Sequence, residues 1–450
     1  MNRPAFFSIL CAVAIAALIG VYFTMVRSDH AKLPLGADEG PSPVLPAPKI
    51  TLIPTVNIAP ARGWSAGTNP VAASGLLVTA YASGLDHPRW LYVLPNGDVL
   101  VAETDAPSRP QDSMGIRGAI SRAVQGWAGA GVPSANRITL LRDSGNGVAS
   151  KYVYLRNLNS PFGMTLVGND LYVANTDAIV RFAYVEGATQ ISEAGNRVTD
   201  LPAGPINHHW TKNLISSRDG SKLYVTVGSN SNIAENGIDK EENRAAILEV
   251  DPATGERRLF ASGLRNPNGM DWEPETGVLW TVVNERDELG SDLVPDYLTS
   301  VKDGGFYGWP YSYYGQRVDP RVPNNPQMVA KAVAPDYALG NHTASLGLVF
   351  YRSSLFPQQY RGGAFIGLHG SWNRRPLSGY KVIFVPFANG RPSGMPKDVL
   401  TGFLDGEGHA LGRPVGVVVD KQGAVLVADD VGNTVWRIAP AGRSSADPAR

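Results

Sequence analysis

Cysteine is almost missing from this sequence: Cys11 is the only one among 450 residues. An intrachain disulfide is therefore excluded, and so is chemistry that needs a pair of thiols, such as a C-x-x-C redox or zinc motif. An excess of charge of one sign is also absent, with 40 Lys and Arg against 40 Asp and Glu. A nucleic-acid partner, which needs a basic face, has no support. No H-E-x-x-H, no phosphate-binding P-loop and no G-x-G-x-x-G after a strand occurs, so zinc and nucleotide cofactors are not indicated. What the chain has in abundance is turn formers, 49 Gly and 34 Pro, set among short apolar runs. That combination points to many strands and turns and to an all-β fold.

One long apolar run does exist. Pro4–Val26 covers roughly 20 residues, enough to cross a hydrocarbon core. Arg3 precedes it, and Arg27, His30 and Lys32 follow. The Thr24-Met25-Val26-Arg27 junction makes a poor cleavage site, which favours an uncleaved signal anchor over a removed signal peptide. Either outcome exports the rest of the chain, so residues 1–27 are read as a signal segment and the domain as periplasmic. Residues 28–75 are rich in Pro and Ala (PSPVLPAPKITLIPTVNIAPARG) and are expected to form an extended spacer holding the next domain off the membrane. The tail 441–450 is expected to be disordered.

Between these limits, residues 76–440 repeat a unit: a Pro- or Gly-containing opening, a short apolar strand, a turn, and a second strand. The copies begin at His87, Ser160, His209, Asn266, Ser345 and Arg413, with turn glycines at Gly97, Gly168, Gly220, Gly277, Gly363 and Gly423. Several continue into a third strand (RITLL, AIVRF, AAILEV, TVWRI). A recurring strand unit with variable insertions predicts a six-bladed β-propeller. The notable interruptions are 106–136, 285–304 and 311–341, and function in such a fold is expected at the channel mouth.

Candidate chemistry falls at the openings of the copies. In NHHWTKNL, neighbours His208 and His209 should point to opposite faces, so at most one reaches a common site. That one is either a hydrogen-bonded structural histidine or a general base. Arg265 and Asn266 open the next copy, where an Arg can grip a carboxylate or steady a developing oxyanion, or simply shape a turn. The insertion NERDELGSD packs four acids together, and Glu285, Asp287 and Asp292 offer the hard oxygen ligands that suit Ca²⁺, without EF-hand spacing. A solvated acidic loop is the plainer alternative. In HGSWNRRP, His369, Trp372, Asn373 and Arg374 could stack on a planar ligand and bind its acidic groups, or form a turn around a packed Trp. Arg413 opens the sixth copy and should face the same channel.

Together NHHWTKNL, LRNPNGMDW, NERDELGSDLVPDYL, GGFYGWPYSYYG, FIGLHGSWNRRP and GRPVGVVVD resemble the soluble quinoprotein glucose/sorbosone dehydrogenase family. The sorbosone-dehydrogenase branch is the most similar, and the resemblance runs from about Leu77 to Ile438. It implies a six-bladed propeller that uses pyrroloquinoline quinone (PQQ) and Ca²⁺ to oxidise a sugar, passing electrons to an external quinone or cytochrome. By motif position it makes His209 the general base, sets Arg265 and Asn266 against the quinone, and gives Arg413 a quinone carboxylate. It places calcium at the loop after Glu285. The chain departs from glucose-oxidising members in three places. Arg286-Asp287-Glu288 stands where they have Gly-Pro, Leu411-Gly412-Arg413 where they have Arg-x-Arg, and Arg374 or Arg375 where they supply a Lys. A metal-dependent propeller lactonase or esterase, and a non-catalytic binding propeller, are the competing classes.

Overall fold

A computed structural model describes residues 29–51, 54–107, 126–145 and 147–442. The signal segment 1–27 and the tail from 443 onward lie outside the described residues, as does most of the interruption 106–136.

Six sheets carry the chain, each with four main antiparallel strands that in the first five blades run in sequence order from the axis outward. Their inner strands are Pro88–Val93, Met164–Val167, Leu214–Ser216, Pro267–Trp272, Ser345–Phe350 and Pro414–Val419, so each copy found in the sequence opens one blade. Each inner strand packs against the next, and Pro414–Val419 returns to Pro88–Val93, which closes the ring. The outermost strand of blade 6 comes from the start of the domain: Leu76–Ser83 pairs antiparallel with Thr434–Pro440. First and last segments thus share one sheet, leaving no open seam.

The second strand of each blade explains the apolar runs. Val99–Glu103, Leu223–Val227, Leu279–Val283 and Val425–Asp429 are buried at every position. A strand covered by neighbouring blades on both faces cannot alternate, and it reads as a continuous apolar run. Five of the six turn glycines have positive φ, from 57° at Gly168 to 97° at Gly97. The exception is Gly363, the first residue of strand Gly363–Leu368; the left-handed position there is Gly362 at φ 63°. The interruptions 285–304 and 311–341 also differ from expectation. They contain the third and fourth strands of blade 4, Pro295–Ser300 and Tyr337–Asn341, whose mixed composition hid them.

The segment expected as a free spacer is extended but bound. Glu39–Gly40 adds an edge strand to blade 4 and Val71–Ala72 one to blade 5. Between them the chain crosses the channel mouth. The Lys49 amide donates to the Leu289 carbonyl, Asn57 to Trp372 and Ala61 to Trp127, while Trp64 Nε1 donates to Asp429. The expectation failed because low apolar content rules out a core of its own, yet not docking onto backbone groups that a neighbouring domain leaves unpaired.

Candidate active site at the channel mouth

Inner strands begin, and second strands end, at the same mouth, so the opening residues of each copy converge there. Two carboxylates organise it, Asp287 partly buried and Asp430 buried.

Asp287 forms the first centre. Its Oδ2 accepts from Arg265 Nη2 at 2.9 Å, and its Oδ1 from Asn373 Nδ2 at 2.7 Å. His342 Nδ1 stands 3.7 Å from that Oδ1. Burial alone would raise this carboxyl, but Arg265, His342 and Asn373 together hold it well below the usual range. Arg265 is itself buried, and all five of its N–H donors are committed. Nε reaches the Asn232 carbonyl at 3.4 Å, and Nη1 the carbonyls of Asn284 at 3.4 Å and Glu285 at 2.6 Å. Nη2 takes Asn232 Oδ1 at 3.0 Å besides Asp287. Arg265 therefore acts on the mouth through its charge, having no donor to spare for a ligand.

Beside it, His209 and Asn266 meet across Gly228. A Cβ on Gly228 would lie 2.4 Å from His209 Cβ and 2.5 Å from Asn266 Oδ1, so only glycine allows this approach. His209 Nδ1 lies 2.9 Å from the Ser229 carbonyl and 3.0 Å from Ser229 Oγ. A carbonyl can only accept, so Nδ1 carries the proton and the neutral ring holds its lone pair on Nε2. His208 is exposed, with its ring edge-on to that of His209 at 4.7 Å. The following residues lock the opening. Lys212 Nζ donates to the Trp210 carbonyl, Thr211 Oγ1 to Asn268 Oδ1 and Asn213 Nδ2 to the Asn268 carbonyl. Asn266 Oδ1 is buried with no partner among the described residues, an acceptor open to a ligand hydroxyl.

Asp430 is the second centre, and the sequence reading missed it. Its Oδ2 accepts from His369 Nε2 at 2.8 Å and Arg89 Nη1 at 2.9 Å, with His87 Nε2 at 3.6 Å. Burial would raise Asp430, but His369, His87 and Arg89 hold it well below the usual range. Burial pulls His369 down in turn, against the pull of Asp430. Arg413 is buried nearby, its guanidinium 5.1 Å from the centre of the Tyr380 ring and its Nη2 on the Ala59 carbonyl of the N-terminal segment. A signal for this centre existed: His87-Pro88-Arg89 opens the first copy much as Arg413-Pro414 opens the sixth.

Arg265, Asn266, His209, Asp287 and Asn373 thus form one group, and His369 and Arg413 belong to the other. Trp372 is half-exposed and lines a shallow cavity with Thr51, Pro54, Thr55, Glu288, Gly290 and Asn373. Arg374 turns away, with Nε on the Ser291 carbonyl and Nη2 4.0 Å from Asp38.

The expected calcium ligands do not gather. Asp292 accepts the amides of Lys32 and Leu33 in the N-terminal segment. Asp287 is spent on Arg265 and Asn373, and its carbonyl accepts both Nε and Nη2 of Arg286. Among the described residues, the one trio of ligating side chains within 4.8 Å is Asp405, Glu407 and His409, on the loop leading into blade 6. Close sequence spacing does not bring these side chains together, because an inserted loop sends them to different partners.

Glu285 lies inside the fold with Oε2 unpartnered, and burial pushes its carboxyl up to about 7. Folded protein therefore holds a proton that the unfolded chain releases near the ordinary value of 4.5. That contribution to stability is full below about pH 4.5 and is lost as pH rises through about 7. Asp296, raised by burial to about 6, acts in the same direction, whereas the lowered His369 opposes both. We expect Glu285→Gln to gain melting temperature relative to the parent between pH 5 and pH 8, read by calorimetry of both proteins across that range. A parallel pH dependence in the two would contradict this.

The quinone that the resemblance implies can be tested against these atoms. Arg413 Nε, Arg89 Nε and His87 Nε2 are buried nitrogens without hydrogen-bond partners among the described residues, clustered at one corner of the mouth. Unpartnered, mostly cationic donors suit a ligand bearing several carboxylates.

Comparison with known proteins agrees. The family model described as Glucose / Sorbosone dehydrogenase matches residues 85–370, and one described as TrAA12-like matches 318–441. An uncharacterized protein of Borreliella burgdorferi is 28% identical over 64% of this chain and 77% of its own. A pyrroloquinoline quinone-dependent pyranose dehydrogenase of Coprinopsis cinerea is 27% identical over 54% of this chain, and the match takes in 41% of that longer protein. The solved holo form of the pyranose dehydrogenase PQQ domain from the same fungus superposes with a TM-score of 0.67, covering 85% of this chain and all of that one at 20% identity. At that identity the superposition speaks for the fold.

Proposed function

The chain belongs to the glucose/sorbosone dehydrogenase family, and from that premise we propose that it oxidises an aldose or sugar aldehyde with PQQ as its redox cofactor. The observation that carries this reading is His209, whose Nδ1 proton is fixed on a backbone carbonyl so that Nε2 is the basic atom at the mouth. Arg413, Arg89 and His87 would hold the quinone carboxylates, and Trp372 offers a face for stacking. When bound, the quinone supplies a two-electron acceptor; the protein supplies position and field. His209 Nε2 takes the proton of the sugar C1 hydroxyl. Asn266 Oδ1 accepts from a neighbouring hydroxyl and fixes which face of the sugar is presented. Arg265 adds a fixed positive charge behind both without leaving its partners. Calcium also belongs to what the resemblance implies, but the acids expected to bind it point to other partners, and no step is routed through it.

Electrons are proposed to leave to an external quinone or cytochrome, on the periplasmic side of the inner membrane, with Pro4–Val26 retained as the anchor. A lactonase that holds a metal with side-chain carboxylates needs them to converge at the mouth. The trio at Asp405 lies on the loop leading into blade 6, where Arg62 holds Asp405 and Glu407 is exposed. The two classes separate in one assay. Protein reconstituted with PQQ should reduce an artificial electron acceptor when given an aldose, and should leave sugar lactones unhydrolysed. Lactone hydrolysis without quinone would reverse the assignment.

A further inference from the structure

We propose that the channel mouth faces the membrane, held against the lipid surface by the chain's own N-terminal segment. The inference rests on retention of the apolar run and stands apart from the quinone chemistry. The run ends at Val26, and only three residues later the chain is clamped to the mouth. Asp29 is buried there. Its Oδ2 accepts the Ser291 amide at 2.7 Å, its Oδ1 accepts Lys49 Nζ at 2.5 Å, and its own amide donates to Thr55 Oγ1 at 3.0 Å. The Ala31 amide donates to the Arg375 carbonyl at 2.7 Å, which fixes the next turn of chain on the loop after the second strand of blade 5. Val26 and Asp29 can be at most about 11 Å apart, because consecutive Cα atoms lie about 3.8 Å from each other. A tether that short cannot carry the chain around to the far face: an inner strand of six residues alone spans about 20 Å.

The surface near the clamp suits a bilayer. Leu35 is fully exposed, two residues beyond the amide that Asp292 holds, and Ile50, Val56, Trp372 and Trp127 also expose apolar side chains along the segment that crosses the mouth. Trp372 and Trp127 are joined to that segment through their carbonyls, which accept the amides of Asn57 and Ala61. Exposed tryptophans of this kind favour the interfacial layer of a membrane, and exposed Lys32 at the clamp favours anionic headgroups. Lipid is the occupant because the chain itself delivers the face to it. In this orientation the mouth opens toward electron acceptors dissolved in or docked on the bilayer, and sugar enters from the side.

The test uses the full chain reconstituted in phosphatidylcholine/phosphatidylglycerol vesicles that contain nitroxide-labelled headgroups. Cys11→Ala removes the native thiol, and a fluorophore is attached through Leu35→Cys on the mouth face or Glu275→Cys on the opposite face. Leu35 fluorescence should be largely lost to headgroup quenching while Glu275 fluorescence is retained. Inserting a flexible 20-residue Gly/Ser segment before Ser28 should restore Leu35 emission, since such a linker reaches about 25 Å on average. Equal quenching at both sites, or stronger quenching at Glu275, would overturn the orientation alone. N-terminal sequencing of the same sample guards the premise: a chain beginning near Ser28 would remove the anchor and the inference with it.

Discussion

His209→Ala should lower kcat by roughly 10²- to 10⁴-fold, the usual loss when a positioned general base is removed. Quinone binding should survive, because the unpartnered donors that suit its carboxylates belong to Arg413, Arg89 and His87. The argument is one of proton placement. Nδ1 lies 2.9 Å from the Ser229 carbonyl, a partner that no side-chain substitution removes, so the proton stays on Nδ1 and the basic lone pair on Nε2. His208 is exposed at the mouth, so His208→Ala should stay within about tenfold in kcat or show its effect in KM. Reductive half-reaction kinetics at saturating aldose distinguish the two. A dead His208→Ala beside a normal His209→Ala would mean that the roles of the neighbours are exchanged.

Arg265→Met should be the most damaging change to stability at the mouth, at about 3–5 kcal/mol, the cost typical of removing one partner from a buried ion pair. The side chain ties the Asn232 loop of blade 3 to residues 284–287 of blade 4, so its loss frees donors and acceptors on two blades at once. Asp287 would be left partly buried with His342 and Asn373 as its remaining partners. Adding Asp287→Asn should recover part of the loss, because the stranded charge goes with it. Denaturant unfolding of the single and double variants measures this. A single variant as stable as the parent would show that the pair is not needed for the fold, and Arg265 would then have to be explained by catalysis.

Blade number and blade openings were legible in the sequence because each inner strand begins with a Pro-, Gly- or Asn-containing turn and each second strand is a largely apolar run. Arg265 and Asn266 of the Asp287 centre were legible for the same reason, since they open a blade, whereas His342 was not singled out. Three features were not. Asp430 follows the second strand of blade 6 in VADD, where an acid beside an apolar run looks like a strand terminus; only the folded ring brings His87, Arg89 and His369 from two other blades onto it. The docking of residues 29–75 was invisible because its bonds are mostly to backbone groups, which leave no side-chain pattern. The partners of the acids expected to bind calcium were hidden too, because sequence proximity in an irregular loop does not fix side-chain direction: Asp292 and Asp287 face different partners.

The central claim is that this mouth binds a quinone and reduces it at the expense of a sugar. It is met most directly by titrating the apoprotein with PQQ and recording the absorption spectrum before and after anaerobic addition of aldoses. The account predicts saturable binding at one quinone per chain, then conversion of the oxidised spectrum to the reduced one with one equivalent of sugar consumed. It also predicts that Arg413→Ala weakens the binding step, whereas His209→Ala binds normally and stalls before reduction. A chain that takes up no quinone, or takes it up and leaves its spectrum unchanged across a panel of aldoses and sugar aldehydes, would contradict the account.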